Sequence, residues 1–192
     1  MKKFLVVFTM GIAFGIALML VQPDLAGLAG FATAGSASAL PNHNINSTSV
    51  SAIFSPGTEQ VFVSALRSAQ KEIAVEMYVF TSKPLRDELL AARTRGVNVK
   101  VILEPGVDDN KKMAAFLKDN GIDVRWASSH FDKTHSKFFI IDNSTIFVGS
   151  HNWTFHALNL NREASVKITS VEVSRDFVET FYSDWSIATA AS

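Results

Sequence analysis

From about residue 53 to residue 185, the sequence alternates between short apolar runs typical of β-strands and longer segments with apolar residues at helical spacing. Residues 72–80 and 97–103 read as strands, and residues 83–95 between them read as a helix that ends at Gly96. A strand, a helix and another strand in this order form a unit in which the two strands lie parallel and the helix covers the sheet. The chain is therefore predicted to fold as one α/β domain, with a mixed, largely parallel β-sheet flanked by helices on both faces.

The N-terminus carries a different pattern, which is typical of a segment that enters a membrane. Lys2 and Lys3 precede an uncharged run at residues 4–21. Its length lies between that of a long signal-peptide core and that of a short spanning helix, which needs roughly 20 apolar residues. The sequence ASA at residues 37–39 has the small-x-small form of a signal-peptide cleavage site.

These patterns divide the chain into three parts. Residues 1–39 are expected to be a signal peptide or an N-terminal membrane anchor plus linker. Residues 40–52 are expected to be a linker, and residues 53–192 the folded domain. Lysines at the extreme N-terminus keep that end in the cytoplasm and send the folded part across the membrane.

The charge balance limits the partners that the chain can bind. Its 18 Lys and Arg residues match 18 Asp and Glu residues, so no generally basic surface is expected. A nucleic-acid partner would need a local positive groove, because phosphate binding depends on the particular basic side chains in contact. The sequence contains no cysteine, which excludes disulfides, thiolate nucleophiles and cysteine metal sites.

The stretch THSKFFIIDNSTIFVGSHNWT places polar residues at regular intervals within two predicted strands that surround DNST. Because side chains two residues apart on a strand point the same way, His135 and Lys137 share a face, as do Ser150 and Asn152. A two-residue turn at residues 143–144 would place Lys137 opposite Ser150 and His135 opposite Asn152. The four polar side chains are therefore predicted to converge on one patch.

Such a patch suits a phosphodiester substrate. A lysine supplies positive charge, while serine and asparagine donate hydrogen bonds to the nonbridging oxygens. An imidazole can attack phosphorus or transfer a proton. Displacement requires both a neutral nucleophile and a protonated group for the leaving oxygen, so a second histidine is needed in the same site.

The motif resembles the H-x-K-x4-D-x6-G-S-x-N signature of the phospholipase D superfamily, and the similarity covers residues 53–185. The stretch AVEMYVFTSKPLRDELLAARTRGVNVKVILE resembles the first β-α-β unit of that family. Among its branches, the chain is most similar to the small single-motif bacterial endonucleases, which are exported and work as homodimers. The motif positions are occupied by His135, Lys137, Asp142, Gly149, Ser150 and Asn152.

The resemblance implies a division of labour between two copies of the motif. One histidine forms a covalent phosphohistidine, and the other acts as acid and then as base, without a metal or another cofactor. The sequence has one copy, so the resemblance implies a homodimer with His135 and Lys137 of both subunits around a single site. By the same resemblance, Glu163 hydrogen-bonds and orients the nucleophilic histidine, and the motif residue Asp142 is expected to support the turn.

Residues around the motif are further candidates for substrate contacts. His151 and Trp153 are expected to line the substrate groove, and Trp153 could stack on bases. Arg125 and Lys133 are expected to contact the phosphate backbone. The predicted substrate-binding set is completed by Lys137, Ser150 and Asn152.

A metal site is the alternative for the histidines outside the motif. His130, His151 and His156, together with Asp132, fit no familiar zinc spacing, and cysteine is absent. No metal site and no cofactor are therefore assigned.

The sequence and the resemblance together predict a metal-independent phosphodiesterase that cleaves DNA or RNA with little sequence preference. Hydrolysis of phospholipid headgroups is the first alternative, with residues 4–21 as a possible membrane tether. A catalytically inactive nucleic-acid-binding module is the second. The protein is expected to be exported, either to the periplasm or outside the cell after signal cleavage, or anchored in the inner membrane facing outward.

Overall fold

The computed structural model describes residues 48–191, and these form one eight-stranded sheet with helices on both faces. The predicted signal or anchor segment at residues 1–39 lies outside the described residues. The strand order is β1-β7-β6-β5-β2-β3-β4-β8. The strands are β1 (Ser49–Phe54), β2 (Glu72–Met77), β3 (Asn98–Leu103), β4 (Asp123–Trp126), β5 (Lys137–Ile141), β6 (Thr145–Gly149), β7 (Ala164–Thr169) and β8 (Thr189–Ala190).

The helices divide between the two faces of the sheet, and each face buries its own apolar cluster. Helices α1 to α3 cover one face, where Phe62, Leu89 and Leu117 belong to the larger cluster. Helix α5 covers the other face with Phe181 and Trp185. The helices are α1 (Glu59–Ser68), α2 (Lys83–Thr94), α3 (Asp108–Asp119), α4 (Phe155–Asn159) and α5 (Val171–Ile187).

The predicted mixed α/β sheet with helices on both faces is confirmed, but parallel pairing is less extensive than expected. Only β2 with β3 and β3 with β4 pair in parallel. The other five pairings between named strands are antiparallel. The reason is the connection from β4 to β5, which has no crossover helix in residues 127–136, so β5 enters beside β2 in the opposite direction.

The turn between β5 and β6 differs from the prediction by one residue. Ile141 pairs with Thr145, and continuing this register places Lys137 opposite Gly149, not opposite Ser150. The predicted pairing was therefore wrong. Asp142 has a φ of 52° and leaves the strand, so the loop contains three residues where two were expected.

The carboxylate of Asp142 explains why this residue leaves the strand. Backbone N–H groups of Gln70, Lys71 and Glu72 donate to it at distances of 2.7 to 3.2 Å. Burial alone would raise the pKa of Asp142, but these backbone donors outweigh it and hold the pKa below its ordinary value. The motif aspartate thus ties the hairpin to the segment between α1 and β2.

Replacing Asp142 by asparagine is expected to lower the free energy of unfolding by about 1.5–3 kcal/mol at neutral pH, because charge-assisted bonds to backbone N–H groups are lost. A lowered folded-state pKa stabilises the fold above the ordinary aspartate pKa, and this stabilisation is lost as the pH falls through the folded value. The difference between the two proteins should therefore shrink in acid. Urea unfolding at neutral and acidic pH tests this expectation.

The matched control for this comparison is Asp132→Asn, which alters an exposed aspartate in the loop before β5. It is expected to change stability by no more than about 0.5 kcal/mol. An Asp142→Asn protein as stable as the control would contradict the structural role of the motif aspartate.

Two edge strands were not recognised in the sequence. β1 begins at Ser49 and pairs with β7 along its whole length, so the predicted linker at residues 40–52 overlaps the fold. β8 consists of two residues and pairs with β4. β8 is too short to show a pattern, and β1 is an edge strand with a single buried residue, Ile53. Within residues 48–191, no helix combines the length and the apolar character needed to cross a membrane.

Candidate active site

His135 lies at the edge of the sheet where β2 ends and β5 begins. The backbone N–H of Tyr78, just after β2, donates to the carbonyl of Ser136 (3.0 Å), which fixes the segment that enters β5. The rings of Tyr78 and His135 contact each other with centroids 4.2 Å apart. The His135 side chain is otherwise exposed to solvent and accessible to a substrate.

Lys137 is the first residue of β5, and its ammonium group reaches back to His135. Lys137 Nζ donates to the carbonyl of His135 (2.7 Å) and lies 3.2 Å from Nδ1 of the imidazole ring. It also lies 5.0 Å from the centroid of the Tyr78 ring, within cation–π range. The predicted proximity of the motif histidine and lysine is therefore present within a single chain.

The surroundings of His135 lower the pKa of its imidazole. Partial removal from water lowers the pKa of His135 below its ordinary value, and the positive charges of Lys137 and Lys133 lower it further. Desolvation also lowers the pKa of Lys137, opposed by the attraction of Glu163. Because a nucleophilic imidazole must be unprotonated, these shifts favour attack by His135 at neutral pH.

Ser150 and Glu163 form a hydrogen-bonded pair beside the lysine. Ser150 Oγ donates to Glu163 Oε2 (2.6 Å) and accepts from the backbone N–H of Ala164 (3.0 Å). Asn161 Nδ2 donates to the other carboxylate oxygen (3.1 Å). Burial alone would raise the pKa of Glu163, but these bonds and nearby charges hold the pKa below its ordinary value. Glu163 is therefore an anion that faces Lys137.

The position of Glu163 differs in one respect from the role that the resemblance implies. Among the described residues, its carboxylate bonds Ser150 and Asn161, and it makes no hydrogen bond to His135. Its electrostatic effect on Lys137 is the link to the motif. The contact between Lys137 and Ser150 that was predicted across the hairpin is thus replaced by an indirect one through Glu163.

Gly149 has no room for a side chain. A Cβ atom at this position would overlap the carbonyl oxygen of Ala164 and the Cα and Oγ atoms of Ser165. The close approach of β6 and β7 at this point brings Ser150 and Glu163 together. The motif glycine therefore sets the spacing that forms the Ser150–Glu163 pair.

Asn152 carries a buried polar atom without a partner. Its Oδ1 atom has no hydrogen bond within residues 48–191, and its side chain is only half-buried. Beside His135, a cleft of about 420 Å³ is lined by Lys137 and Gly149 and by Phe177 and Thr180 of α5. His135 and Lys137 therefore face an open cleft large enough for a phosphodiester group.

Three of the residues predicted to contact substrate make contacts within the fold. Trp153 is fully buried and packs against Phe80, so it cannot stack on a base. His151 is only 2% exposed, and its Nδ1 lies 2.6 Å from Ser165 Oγ. Arg125 donates to the carbonyl of Trp185 (2.8 Å) and stacks on that ring, on the face covered by α5.

Of the candidates outside the motif, Lys133 lies beside the tyrosine that His135 also contacts. It is exposed, and its Nζ lies 5.6 Å from the centroid of the Tyr78 ring. The alternative metal site is not assembled. No three His, Cys, Asp or Glu side chains of the described part of the chain lie close enough to hold a metal ion.

Sequence reasoning missed Glu76 in β2 and Tyr78 just after it, which both contact the histidine–lysine segment. Glu76 is buried, and its carboxyl group bonds Ser136 and Asp184. The pKa of Glu76 is raised to about 7, chiefly by burial, while the bond to Ser136 lowers the pKa and the nearby Asp184 raises it. The sequence did contain a signal for Glu76, which is a glutamate within an apolar predicted strand. Charged residues are seldom fully buried without a partner, so a partner could have been expected.

The mixed sheet, the histidine–lysine pair and the adjacent serine–glutamate pair together define a phospholipase D-like domain. Residues 62–185 match the family described as the PLD-like domain of cardiolipin synthase. The chain belongs to the phospholipase D superfamily.

Individual relatives agree with this assignment. The chain is 31% identical over 122 residues to a mitochondrial cardiolipin hydrolase of Mus musculus, covering 63% of this chain and 55% of that protein. It is 27% identical over 161 residues to a cardiolipin synthase of Clostridium perfringens, covering 78% of this chain and 33% of that protein. The chain thus spans about half or less of the length of these curated relatives.

A solved structure of similar size also matches. The phospholipase D family member Nuc from Salmonella typhimurium superimposes with a TM-score of 0.70 at 29% sequence identity. The match covers 74% of this chain and 97% of that one. The described domain therefore corresponds to nearly the whole of a compact family member.

Proposed function

We propose that the chain is a metal-independent phosphodiesterase that hydrolyses DNA or RNA as an endonuclease with little sequence preference. The observation that carries this proposal is the contact between Lys137 and a solvent-accessible His135 whose pKa is lowered. The similarity to Nuc, which extends over 97% of that structure, supports a compact enzyme that needs no second domain.

The reaction proceeds in two displacements. The neutral imidazole of His135 forms a bond to phosphorus while the bond to the leaving oxygen breaks, and that oxygen takes a proton from His135 of the partner subunit. The same partner histidine then removes a proton from water. The resulting hydroxide attacks phosphorus, the P–N bond breaks, and the first imidazole is regenerated.

The remaining polar groups stabilise the charge that develops on phosphorus. Lys137 and Asn152 interact with the equatorial oxygens, and Ser150 supports them. Glu163 holds Ser150 and attracts the ammonium group of Lys137. This arrangement supplies charge and hydrogen bonds without a metal ion.

A homodimer follows from the need for two histidines in one site. Within one chain, His135 is the histidine that meets the motif lysine, whereas His151 is buried against Phe62. We infer that the proton donor comes from a second copy of the chain, because a twofold axis through the site supplies an identical imidazole.

The pH dependence should reveal the paired histidines. Two imidazoles around one phosphate titrate as a coupled pair, so the rate should follow a bell-shaped curve near the ordinary histidine pKa of roughly 6.5. The acidic limb should lie below that value, since the pKa of His135 is lowered. Replacing Lys133 by alanine removes a repelling charge and should move this limb to higher pH.

The measurement is kcat/KM across the pH range for the original protein and for Lys133→Ala. A single monotonic curve would contradict the paired mechanism. A curve for Lys133→Ala that coincides with the original would contradict the electrostatic coupling between Lys133 and His135.

Hydrolysis of a phospholipid headgroup is the second candidate, and the curated relatives favour it. A mitochondrial cardiolipin hydrolase and a cardiolipin synthase are both similar to this chain. The chemistry at phosphorus would be the same. Anchoring through residues 4–21 would place the site near a bilayer. We propose export across the inner membrane for the nuclease function and for the phospholipid function alike.

A comparison of substrates distinguishes these functions. The purified protein is incubated with plasmid DNA, RNA and vesicles of cardiolipin or phosphatidylcholine, with a metal chelator present throughout. We expect cleavage of nucleic acid. Cleavage of lipid alone would overturn this proposal in favour of the second candidate, and cleavage of neither would indicate the inactive binding module.

A further inference from the structure

A second groove lies beside helices α2 and α3, separate from the cleft next to His135. Its volume is about 370 Å³. The buried side chains of Phe80 and Met113 form its floor, and the exposed side chains of Lys83 and Lys112 border it. We call it the helical groove.

The two lysines of the helical groove have no partner in the described part of the chain. Neighbouring Lys111, in contrast, pairs with Asp108 at 2.7 Å. Asp109 is the acidic residue that also lines the groove, against the two unpaired lysines and against Arg86, which pairs with Asp87. In a protein whose total charge is balanced, this local excess of unpaired positive charge favours an anionic ligand.

A flat aromatic surface accompanies the lysines. The guanidinium group of Arg86 lies 4.2 Å from the centroid of the Phe116 ring, and its pairing with Asp87 at 2.6 Å holds it in place. Phe116 remains 37% exposed. An exposed ring combined with an arginine is the type of surface on which bases of single-stranded nucleic acid stack.

Backbone hydrogen bonds join the wall of the helical groove to the motif segment that follows β6. The N–H groups of Thr81 and Ser82 donate to the carbonyl of Trp153 (2.8 and 2.9 Å), and the N–H of Trp153 donates to the carbonyl of Val79 (3.0 Å). Trp153 directly follows the motif residue Asn152. The groove and the site therefore share a backbone support at the carboxyl ends of the parallel strands, where open α/β sheets bind ligands.

We propose that the helical groove binds a single nucleic-acid strand next to the scissile phosphate, with Lys83 and Lys112 on the phosphates and Phe116 beneath a base. This inference rests on the proposed nuclease function and adds a strand-binding subsite to it. A membrane surface fits less well, because the unpaired lysines border a concave groove with an apolar floor and a bilayer presents a flat face.

The test uses binding to fluorescent single strands of about 20 and about 4 nucleotides, measured in a His135→Ala background that prevents cleavage. The double variant Lys83→Ala/Lys112→Ala is expected to raise Kd for the long strand roughly tenfold. The slope of log Kd against log salt concentration should decrease by about 1.4, because each of the two lost phosphate contacts contributes about 0.7. The short strand should show a smaller loss, because it cannot fill the site and the groove together.

The matched control is Lys111→Ala/Lys118→Ala, which removes the same charge from exposed positions of α3 outside the groove. It is expected to bind like the parent protein, and both double variants should melt at the parent temperature. Equal weakening by the two pairs, or unchanged binding by the groove variant, would overturn the proposal.

Two further outcomes separate this inference from the proposed function. If the chain with His135 cleaves no nucleic acid but strand binding still depends on Lys83 and Lys112, the groove is supported and the nuclease proposal is not. If the groove variant loses binding to vesicles of anionic phospholipid while its oligonucleotide binding is unchanged, the groove serves a lipid surface and the inference is wrong.

Discussion

A protein with His135 replaced by alanine is expected to lose at least about 10⁴-fold in kcat for nucleic acid, because both the attacking nitrogen and the proton donor of the proposed dimeric site are removed. His135 is exposed, and within residues 48–191 its ring contacts Tyr78 and Lys137. The fold should therefore tolerate the change. Single-turnover cleavage with chelator present measures the loss.

His156 provides the control for this experiment, since it is also exposed but lies in the short helix α4. His156→Ala is expected to keep the original rate. Activity of His135→Ala within tenfold of the original would remove the phosphohistidine mechanism. A covalent adduct trapped by acid quenching of the original protein, and missing in the variant, would identify the nucleophile directly.

The second large effect is expected at Lys137. Replacing this residue by methionine keeps the apolar stem and removes the ammonium group that stabilises the equatorial oxygens. We expect kcat to fall by about 10²- to 10³-fold, the range found when one stabilising donor is removed from an active site. The variant should also raise the pKa of His135, because the repelling charge is gone.

Lys133→Met serves as the comparison, because Lys133 also lies over the Tyr78 ring but makes no contact with the His135 ring. Its effect on kcat should be much smaller than that of Lys137→Met. Equal losses at the two lysines would mean that the site needs only general positive charge. The proposed role of Lys137 at the phosphate would then be wrong.

Local patterns predicted the fold well where one segment determines its own structure. The helix predicted at residues 83–95 is observed at Lys83–Thr94, and the strand predicted at residues 97–103 is observed at Asn98–Leu103. Ser82 caps the helix, and Gly96 ends it with a φ of 88°. Such signals act within a few residues of each other, so they can be read without the tertiary structure.

Long-range contacts caused the errors. The hairpin register depends on Asp142, whose conformation is set by backbone donors about 70 residues earlier in the chain. Trp153 is buried because its backbone bridges to the segment around Phe80. Arg125 faces Trp185, 60 residues later. None of these partners can be inferred from the spacing of residues around the motif.

The motif itself was informative because its spacing encodes a geometry. His135 and Lys137 meet as predicted from their positions two apart. Ser150 and Glu163 meet because Gly149 allows β6 and β7 to approach closely. The motif contains this glycine but not the glutamate, so it indicates the contact only indirectly. The support from Glu76 and Tyr78 comes from β2 and the residue after it. The spacing of residues within the motif gives no information about this distant segment.

The most direct test of the shared site is the activity of mixed dimers. Original and His135→Ala chains are co-refolded in varying proportions, and total nuclease activity is measured at constant protein concentration. A site that needs both histidines predicts activity proportional to the square of the original fraction, or about one quarter at an equal mixture. Activity proportional to the fraction itself, about one half at an equal mixture, would show that each chain works alone and would contradict the account.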